Sequence, residues 1–383
     1  MARSDQSAAP ATPTAPDAYN VLMLVTDAFG GHGGIACYNR CLAEALASLP
    51  AVRGVTVLPR VMRFASGVLP AKVRSVDCAV GSKPSYVRHA MIEARQPIAM
   101  VFCGHINLLP LAAVIATLKR VPLVLQVHGI EAWAPAPWWQ RLALGRVDAI
   151  WSVSGVTRDR MNAWAQLPLS RYTVIPNTYK PEQFGSAPRR ADLQARYGLQ
   201  GRKVIVTLAR LAGRDRHKGI DETLEALPEL LKNEPRLSYL ILGDGDDQAR
   251  LQAKAEALGV RQRVVFAGLI EEAEKADHLR LADVFCLPGR AEGFGIVYLE
   301  ALACGVPVVG SLLDGSHEAL REGELGELVD PDQPGSVKRG IERALLKSKA
   351  IPSGLDYFSF VNFKRKVGIA IDTRNLTSAA RQR

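Results

Sequence analysis

No apolar stretch in this sequence is long enough to cross a bilayer. The longest, Ile106 to Leu118, runs 13 residues with Pro110 inside it, against the roughly 20 that a spanning helix needs. Cysteine is scarce and unpatterned: Cys37, Cys41, Cys78, Cys103, Cys286 and Cys304 contain no CxxC pair. That argues against zinc and against a disulfide framework, and it fits a reducing cytoplasm. Aromatics are only 6% of the chain, and no RNA-recognition, zinc-finger or homeodomain pattern occurs, so nucleic acid is not the expected partner. A GxGxxG fingerprint is missing after the first predicted strand, and no acid ends the second, which weighs against a dinucleotide-dependent oxidoreductase. Residues 1–18 lack an apolar leader core and are rich in Ser, Ala, Pro and Thr, the composition of a disordered tail.

What is present is ample material for a core. The 383 residues are 48% hydrophobic and 22% charged, which rules out disorder as the main state. The net charge of +10 sits wholly in the first half. Residues 1–200 carry 21 Lys and Arg against 11 Asp and Glu, and residues 201–383 carry 27 against 27. Such asymmetry implies two domains with different partners. Two segments, Arg60-Val-Met-Arg-Phe64 and Trp138-Trp139-Gln-Arg-Leu-Ala-Leu-Gly-Arg146, mix cations with bulky apolar groups. Segments that lie on an anionic membrane have this character.

Short β-branched runs alternate with helical patterns. Strands are predicted at 20–26, 54–58, 98–103, 123–127, 149–153 and 172–175, then at 204–208, 239–242, 264–267, 284–287, 306–310 and 326–329. The alternation occurs twice, which predicts two doubly wound α/β domains facing a cleft. We assign 1–18 as tail, 19–180 as the N-terminal domain and 181–200 as a linker around Pro181, Gly185 and Pro188. The C-terminal domain is 201–355, and 356–383 forms a final helix and tail.

In such sheets ligands meet the loops after the strands, and four motifs stand there. Gly30-Gly-His-Gly-Gly34 precedes a helix, offering close backbone approach and N–H groups for an anion. His128-Gly-Ile-Glu131 ends a buried strand. Arg210-Leu-Ala-Gly-Arg-Asp-Arg-His-Lys218-Gly219 sets cations before a helix, as a diphosphate site would. The most specific motif runs from Pro288 to Val309. Glu292 lies in its loop, Gly293–Gly295 open its helix, and Glu300 sits inside that otherwise apolar helix. A carboxylate so placed needs donors, which vicinal ribose hydroxyls or a nearby cation can supply. Asp244-Gly-Asp246 resembles a metal-holding acid pair, but it also reads as a turn with helix-capping acids. We expect no metal.

The Glu-x7-Glu spacing of Glu292 and Glu300, the Arg…Lys-Gly element, Gly243-Asp-Gly245, Gly268 and Gly315-Ser-His-Glu318 together resemble the retaining glycosyltransferases of family 4, over roughly residues 18–370. The resemblance implies the GT-B fold, with Tyr357–Phe363 beginning a helix that crosses back to the N-terminal domain and Lys364-Arg-Lys366 adding to the basic face. It implies Arg210 and Lys218 on the donor diphosphate, the Gly33–Gly34 backbone near the phosphates, and Glu300 on the nucleotide ribose. Glu292, with the backbone of Gly293, Phe294 and Gly295, would contact the transferred sugar, and His128 would stand at the reaction centre. Two positions depart from the family pattern: Gly289 replaces a serine, and 213–217 lengthen the Arg-to-Lys spacing.

The expected activity is retaining hexosyl transfer without a cofactor, from a nucleotide sugar to a lipid-linked or glycan acceptor in polysaccharide or glycolipid synthesis. The chain would sit in the cytoplasm, against the inner face of the plasma membrane. The motifs resemble bacterial polysaccharide mannosyltransferases, which favours GDP-mannose. A UDP-sugar is the runner-up. The competitors from other classes are a catalytically silent nucleotide-sugar-binding partner and a nucleotide-sugar epimerase.

Overall fold

Two parallel sheets, one from each half of the chain, organise the computed structural model, which describes residues 18–372. The first contains β1 (Tyr19–Val25), β2 (Val52–Pro59), β3 (Val73–Ser75), β4 (Met100–Cys103), β5 (Leu123–Val127), β6 (Ala149–Ser152) and β7 (Tyr172–Val174). Its order is 3-2-1-4-5-6-7, parallel throughout. The second contains β8 (Lys203–Leu208), β9 (Leu237–Leu242), β10 (Val264–Gly268), β11 (Val284–Cys286), β12 (Val308–Ser311) and β13 (Glu327–Val329), in the order 10-9-8-11-12-13 and again parallel. Helices cover both faces, so the central strands are apolar along their whole length: Val21–Val25, Met100–Cys103 and Val284–Cys286 are fully buried.

In each sheet the winding reverses at the middle, between β1 and β4 and between β8 and β11. Strand carboxyl ends at such a point leave a crevice that side chains do not fill. The loops after β1, β8 and β11 carry three of the four motifs, and the loop after β5 carries His128.

The expected two-domain α/β architecture is present, with three differences in detail. The strand β3 was not predicted. The span 181–200, expected as a linker, holds the helix Ala191–Arg196, with Leu193 and Leu199 buried. Ion pairs from Arg189 to Asp283, at 2.6 Å, and from Arg190 to Glu274 and Asp277, at 3.2 Å, fasten it to the second lobe. Lys366, expected on a basic face, lies over the Tyr357 ring at 3.4 Å, where burial pulls its ammonium down to about 8.

The final helix, Phe360–Asp372, returns to the first lobe and packs on the helix Gly34–Ala47, with Phe363 edge-on to Tyr38 at 5.5 Å. Two segments therefore connect the lobes. They touch where Thr178 Oγ1 donates to Phe358 O at 2.8 Å and where Tyr179 bridges Ser359 in parallel. The tail expected over 1–18 lies outside the described residues except for Ala18, as does the end of the 356–383 segment beyond residue 372. Among the described residues no helix is long and apolar enough to cross a membrane.

Candidate active site

The phosphate-loop motif after β8 folds as a 3-10 turn over Gly213–Lys218, ending at Gly219 with φ 83°. Gly219 must be glycine for a second reason. A Cβ there would lie 2.4 Å from Pro288 O, so this loop rests directly on the loop after β11. That contact brings Lys218 to Glu292, and the two form an ion pair with little solvent access. Arg210 stays largely exposed and donates through Nε to the buried Asp215 at 2.6 Å. Arg210, Lys218, Asp215 and Arg216 line one small hollow. The Asp244–Asp246 pair braces this loop: Asp246 Oδ1 accepts from Gly213 N at 2.8 Å. Neither acid caps the helix Gln248–Ala257, and the N-cap residue Asp247 pairs with Arg250 instead, so the capping expectation is corrected.

Glu292 is held through its backbone. Its N–H donates to Asp314 Oδ2 at 2.8 Å, and its carbonyl accepts from Gly315 N at 2.8 Å. Asp314 is fully buried, and that burial raises its carboxyl above the ordinary range, with the Ser316 hydroxyl opposing. The next residue meets the other lobe. A Cβ on Gly293 would stand 1.8 Å from His128 O and 2.9 Å from Gly129 Cα. The two lobes thus touch backbone to backbone beside His128. Its Nε2–H donates to Gly104 O at 3.2 Å, so the neutral ring keeps Nδ1 as acceptor. Burial pushes His128 down to about 4, with Glu131 opposing and His105 adding. Glu131 Oε1 receives the N–H groups of His128, at 2.5 Å, and Gly129, at 3.1 Å. This fixes the loop that presents the histidine.

A cavity of about 600 Å³ opens on the far side of this seam, lined by both lobes. Gly31, His32 and the face of helix Gly34–Ala47 bearing Cys37 and Arg40 border it from the first lobe. Glu272, Lys275, Ile296 and Glu300 border it from the second. A Cβ on Gly34 would lie 3.6 Å from Ile296, so the helices Gly34–Ala47 and Ile296–Ala303 approach each other by their N-termini. Both ends offer N–H groups to an anion. Glu300 is buried and pairs with Lys275 at 2.6 Å. Burial raises its carboxyl, and Lys275 opposes that. Burial likewise works against the Lys275 charge, but Glu300 and Glu272 together hold that ammonium above its usual value.

The structure thus brings Lys218, Glu292, Gly293 and His128 into one cluster. Arg210 lies beside Lys218 and Glu300 lines the neighbouring cavity, while Gly33 and Gly34 are not among the cavity's lining residues, Gly34 approaching it only through Ile296. The Phe294 ring is buried against Phe358 at 5.5 Å, which leaves its backbone, the part expected to meet the sugar, for a ligand. Gly295, at φ 84°, gives space to the Tyr298 ring, which a Cβ would meet at 2.2 Å. Phe64 stacks on His32 at 4.2 Å, and Ser66, Val68 and Pro70 border the cavity, so the exposed stretch Arg60–Phe64 leads into the cavity's edge. Sequence reasoning missed Lys275, Asp314 and Asp215, whose partners are distant in sequence or set by loop geometry. A polar residue at a strand's carboxyl end was the one available signal, and it applied to Asp314 alone.

Residues 32–183 match the family described as Glycosyltransferase Family 4, and residues 190–351 match Glycosyl transferases group 1. A GDP-mannose-dependent alpha-(1-6)-phosphatidylinositol monomannoside mannosyltransferase of Mycobacterium tuberculosis is 32% identical over 283 residues, 70% of this chain and 72% of that relative. The chain belongs to glycosyltransferase family 4. A GDP-mannose-dependent alpha-(1-6)-phosphatidylinositol monomannoside mannosyltransferase of Mycolicibacterium smegmatis is 39% identical over 221 residues, but that match spans only 54% of this family 4 chain and 56% of the relative. The GT-B fold is shared with Anabaena Alr3699/HepE in complex with UDP-glucose, at TM-score 0.76 and 19% identity over 93% of this chain and 100% of that one. It is shared also with WaaG, a glycosyltransferase involved in lipopolysaccharide biosynthesis, at 0.62 and 18% over 94% and 98%.

The two departures of this family 4 chain fit each other. A Cβ at Gly289 would lie 3.0 Å from His217 O, so the lengthened phosphate loop occupies space that a serine would need.

Proposed function

We propose that this chain is a retaining α-mannosyltransferase that uses GDP-mannose and acts on a lipid-linked acceptor at an anionic membrane surface. The observation that carries the reading is the Lys218–Glu292 pair beside the Gly129–Gly293 seam. A cation suited to a diphosphate and an acid suited to sugar hydroxyls stand together next to His128. The activities of the mycobacterial relatives, GDP-mannose-dependent transfer to phosphatidylinositol monomannoside, support the donor and the acceptor class.

In this reading Lys218, Arg210 and the helix N-termini at Gly34 and Ile296 stabilise the charge that develops on the departing diphosphate. The reading calls for no metal, because these cations and helix ends would supply the charge that a leaving diphosphate needs. Glu292 and the 293–295 backbone orient the sugar as it passes through an oxocarbenium-like state. His128, uncharged at neutral pH, orients a hydroxyl by accepting at Nδ1 and adds no positive charge beside the oxocarbenium. As the anomeric carbon–oxygen bond to the diphosphate breaks, the acceptor hydroxyl attacks from that same face and gives its proton to the departing phosphate oxygen, which preserves configuration. Closure of the lobes excludes water, which would otherwise hydrolyse the donor. The ribose hydroxyls would take Glu300 from Lys275 or share it.

Membrane docking is assigned to the first lobe, at the inner face of the plasma membrane. The helix Trp138–Leu144 begins ten positions after His128 and presents Trp138 and Leu142, 73% and 74% exposed, with Arg141 on the same helix. It packs on the helix Leu109–Lys119, where Leu118 is also exposed. An exposed apolar ridge that carries a cation, on the lobe that bears His128, would hold a lipid-borne acceptor at the membrane surface.

A thermal-shift panel of GDP, UDP, ADP and their sugars tests the donor, since stabilisation follows RT ln(1 + [L]/Kd). GDP and GDP-mannose should stand apart. Stabilisation by UDP-sugars alone would overturn the mannosyl reading. Binding without turnover on phosphatidylinositol-type acceptors would point to the silent-partner alternative.

A further inference from the structure

The first lobe grips the second at one further place. The helix Gly155–Ala165 starts at the carboxyl end of β6, capped by Ser154, whose Oγ accepts from Thr157 N at 3.0 Å. A helix start leaves several N–H groups without intrahelical acceptors. Here the N–H groups of Gly155 and Val156 donate to Oε2 and Oε1 of Glu318, each at 2.8 Å. Glu318 belongs to the other lobe, 163 positions away. The carboxylate comes this close because residue 155 is glycine: a Cβ there would lie 3.3 Å from Glu318 Oε1.

Two further bonds run in parallel. Ser154, fully buried, donates through Oγ to Gly293 O at 2.6 Å, and Arg160 donates to Leu313 O at 2.9 Å. Gly293 follows Glu292, and the segment 313–318 holds the Glu292 backbone through Asp314 and Gly315. One helix start therefore reaches both loops that set the position of Glu292. These bonds cross the cleft, so they form only when the lobes are together. A carboxylate at a helix N-terminus is favoured by the macrodipole as well as by the two hydrogen bonds.

We propose that Glu318 is a positioning residue: by capping the helix Gly155–Ala165 across the cleft, it locks the lobes in the transfer-competent arrangement and holds the Glu292–Gly295 loop against His128. This rests on the glycosyl-transfer reading above. Glu318 touches neither His128 nor Glu292, so its effect should appear in closure and turnover and not in nucleotide affinity.

The test uses the full chain with Glu318→Ala, with Glu318→Gln, which keeps one acceptor oxygen, and with Gly155→Ala, which pushes the carboxylate away from the opposite lobe. Melting temperature is recorded first, so that a folding defect is recognised as such. Three quantities are then compared: GDP affinity by calorimetry, the donor-saturated transfer rate, and lobe closure by small-angle scattering with GDP-mannose. We expect GDP affinity within about threefold of the parent, and kcat down at least about tenfold for Glu318→Ala, the scale of two charge-assisted hydrogen bonds partly replaced by water. Glu318→Gln should lose less, and the closed population should shrink in all three variants. Undiminished closure, undiminished kcat, or a matched fall in GDP affinity would each overturn the proposal. Should the parent turn over no nucleotide sugar, the scattering comparison still decides the lock, and the failure then belongs to the transfer reading.

Discussion

Lys218 and Glu292, from the loops after β8 and β11, form an ion pair across 74 positions of sequence. In the proposed reading the ammonium meets a donor phosphate oxygen and the carboxylate meets sugar hydroxyls. Donor entry would then separate the pair, with the cost of separation offset by two new sets of charge-assisted bonds.

Lys218→Ala should weaken every nucleoside diphosphate alike, by about 10- to 100-fold, because the lost bond is to phosphate and indifferent to the base. Glu292→Gln should leave GDP affinity nearly unchanged and lower kcat. Calorimetry with GDP and UDP beside steady-state rates separates the two; a base-selective loss in Lys218→Ala would place that residue away from the diphosphate.

Lys275→Met should destabilise the fold by about 3 kcal/mol at neutral pH, because it leaves the buried Glu300 without its cation. The sign with pH is determined. Burial already raises Glu300 above its ordinary value, so the folded state holds that proton more tightly than the unfolded chain, and stability falls as pH rises through the titration. The variant raises Glu300 further. Urea titrations at pH 5 and pH 8 should show its deficit smaller at the lower pH.

His128, at about 4, binds its proton later than a histidine of the unfolded chain near 6.5. The unfolded state is the better proton acceptor between those values. Stability is therefore intact above about pH 6.5 and falls by about 3 kcal/mol as pH drops towards 4. His128→Gln should flatten this part of the pH–stability curve. The parent's transfer rate should show no histidine limb between pH 6 and 8; a limb near 6.5 that vanishes in the variant would contradict the buried, neutral ring.

Trp138→Ala combined with Leu142→Ala should cut co-sedimentation with phosphatidylglycerol vesicles at least about tenfold, since each side chain contributes about 1.5–3 kcal/mol when buried. GDP affinity should not change. Binding that is equal on phosphatidylcholine, or insensitive to salt, would remove the electrostatic half of the docking reading.

The elements that sequence made legible are those with local causes. Twelve predicted strands have counterparts because fully buried parallel strands are continuous apolar runs between glycines and prolines. Val73-Arg-Ser75 escaped because a three-residue edge strand buries only Val73. The helix Ala191–Arg196 escaped because a single buried leucine within an Arg-, Pro- and Gly-rich span carries no periodicity. In the site, Glu292 and Glu300 were readable from their spacing on one loop and helix. Lys275 was not, since its partner is 25 positions away on another helix.

The paired connections between the lobes, Thr178–Tyr179 and Phe358–Ser359, lie side by side and are bonded to each other. Two bonded, adjacent tethers hold the joint at one edge of the molecule, so any opening that parts Gly293 from Gly129 must leave this edge together.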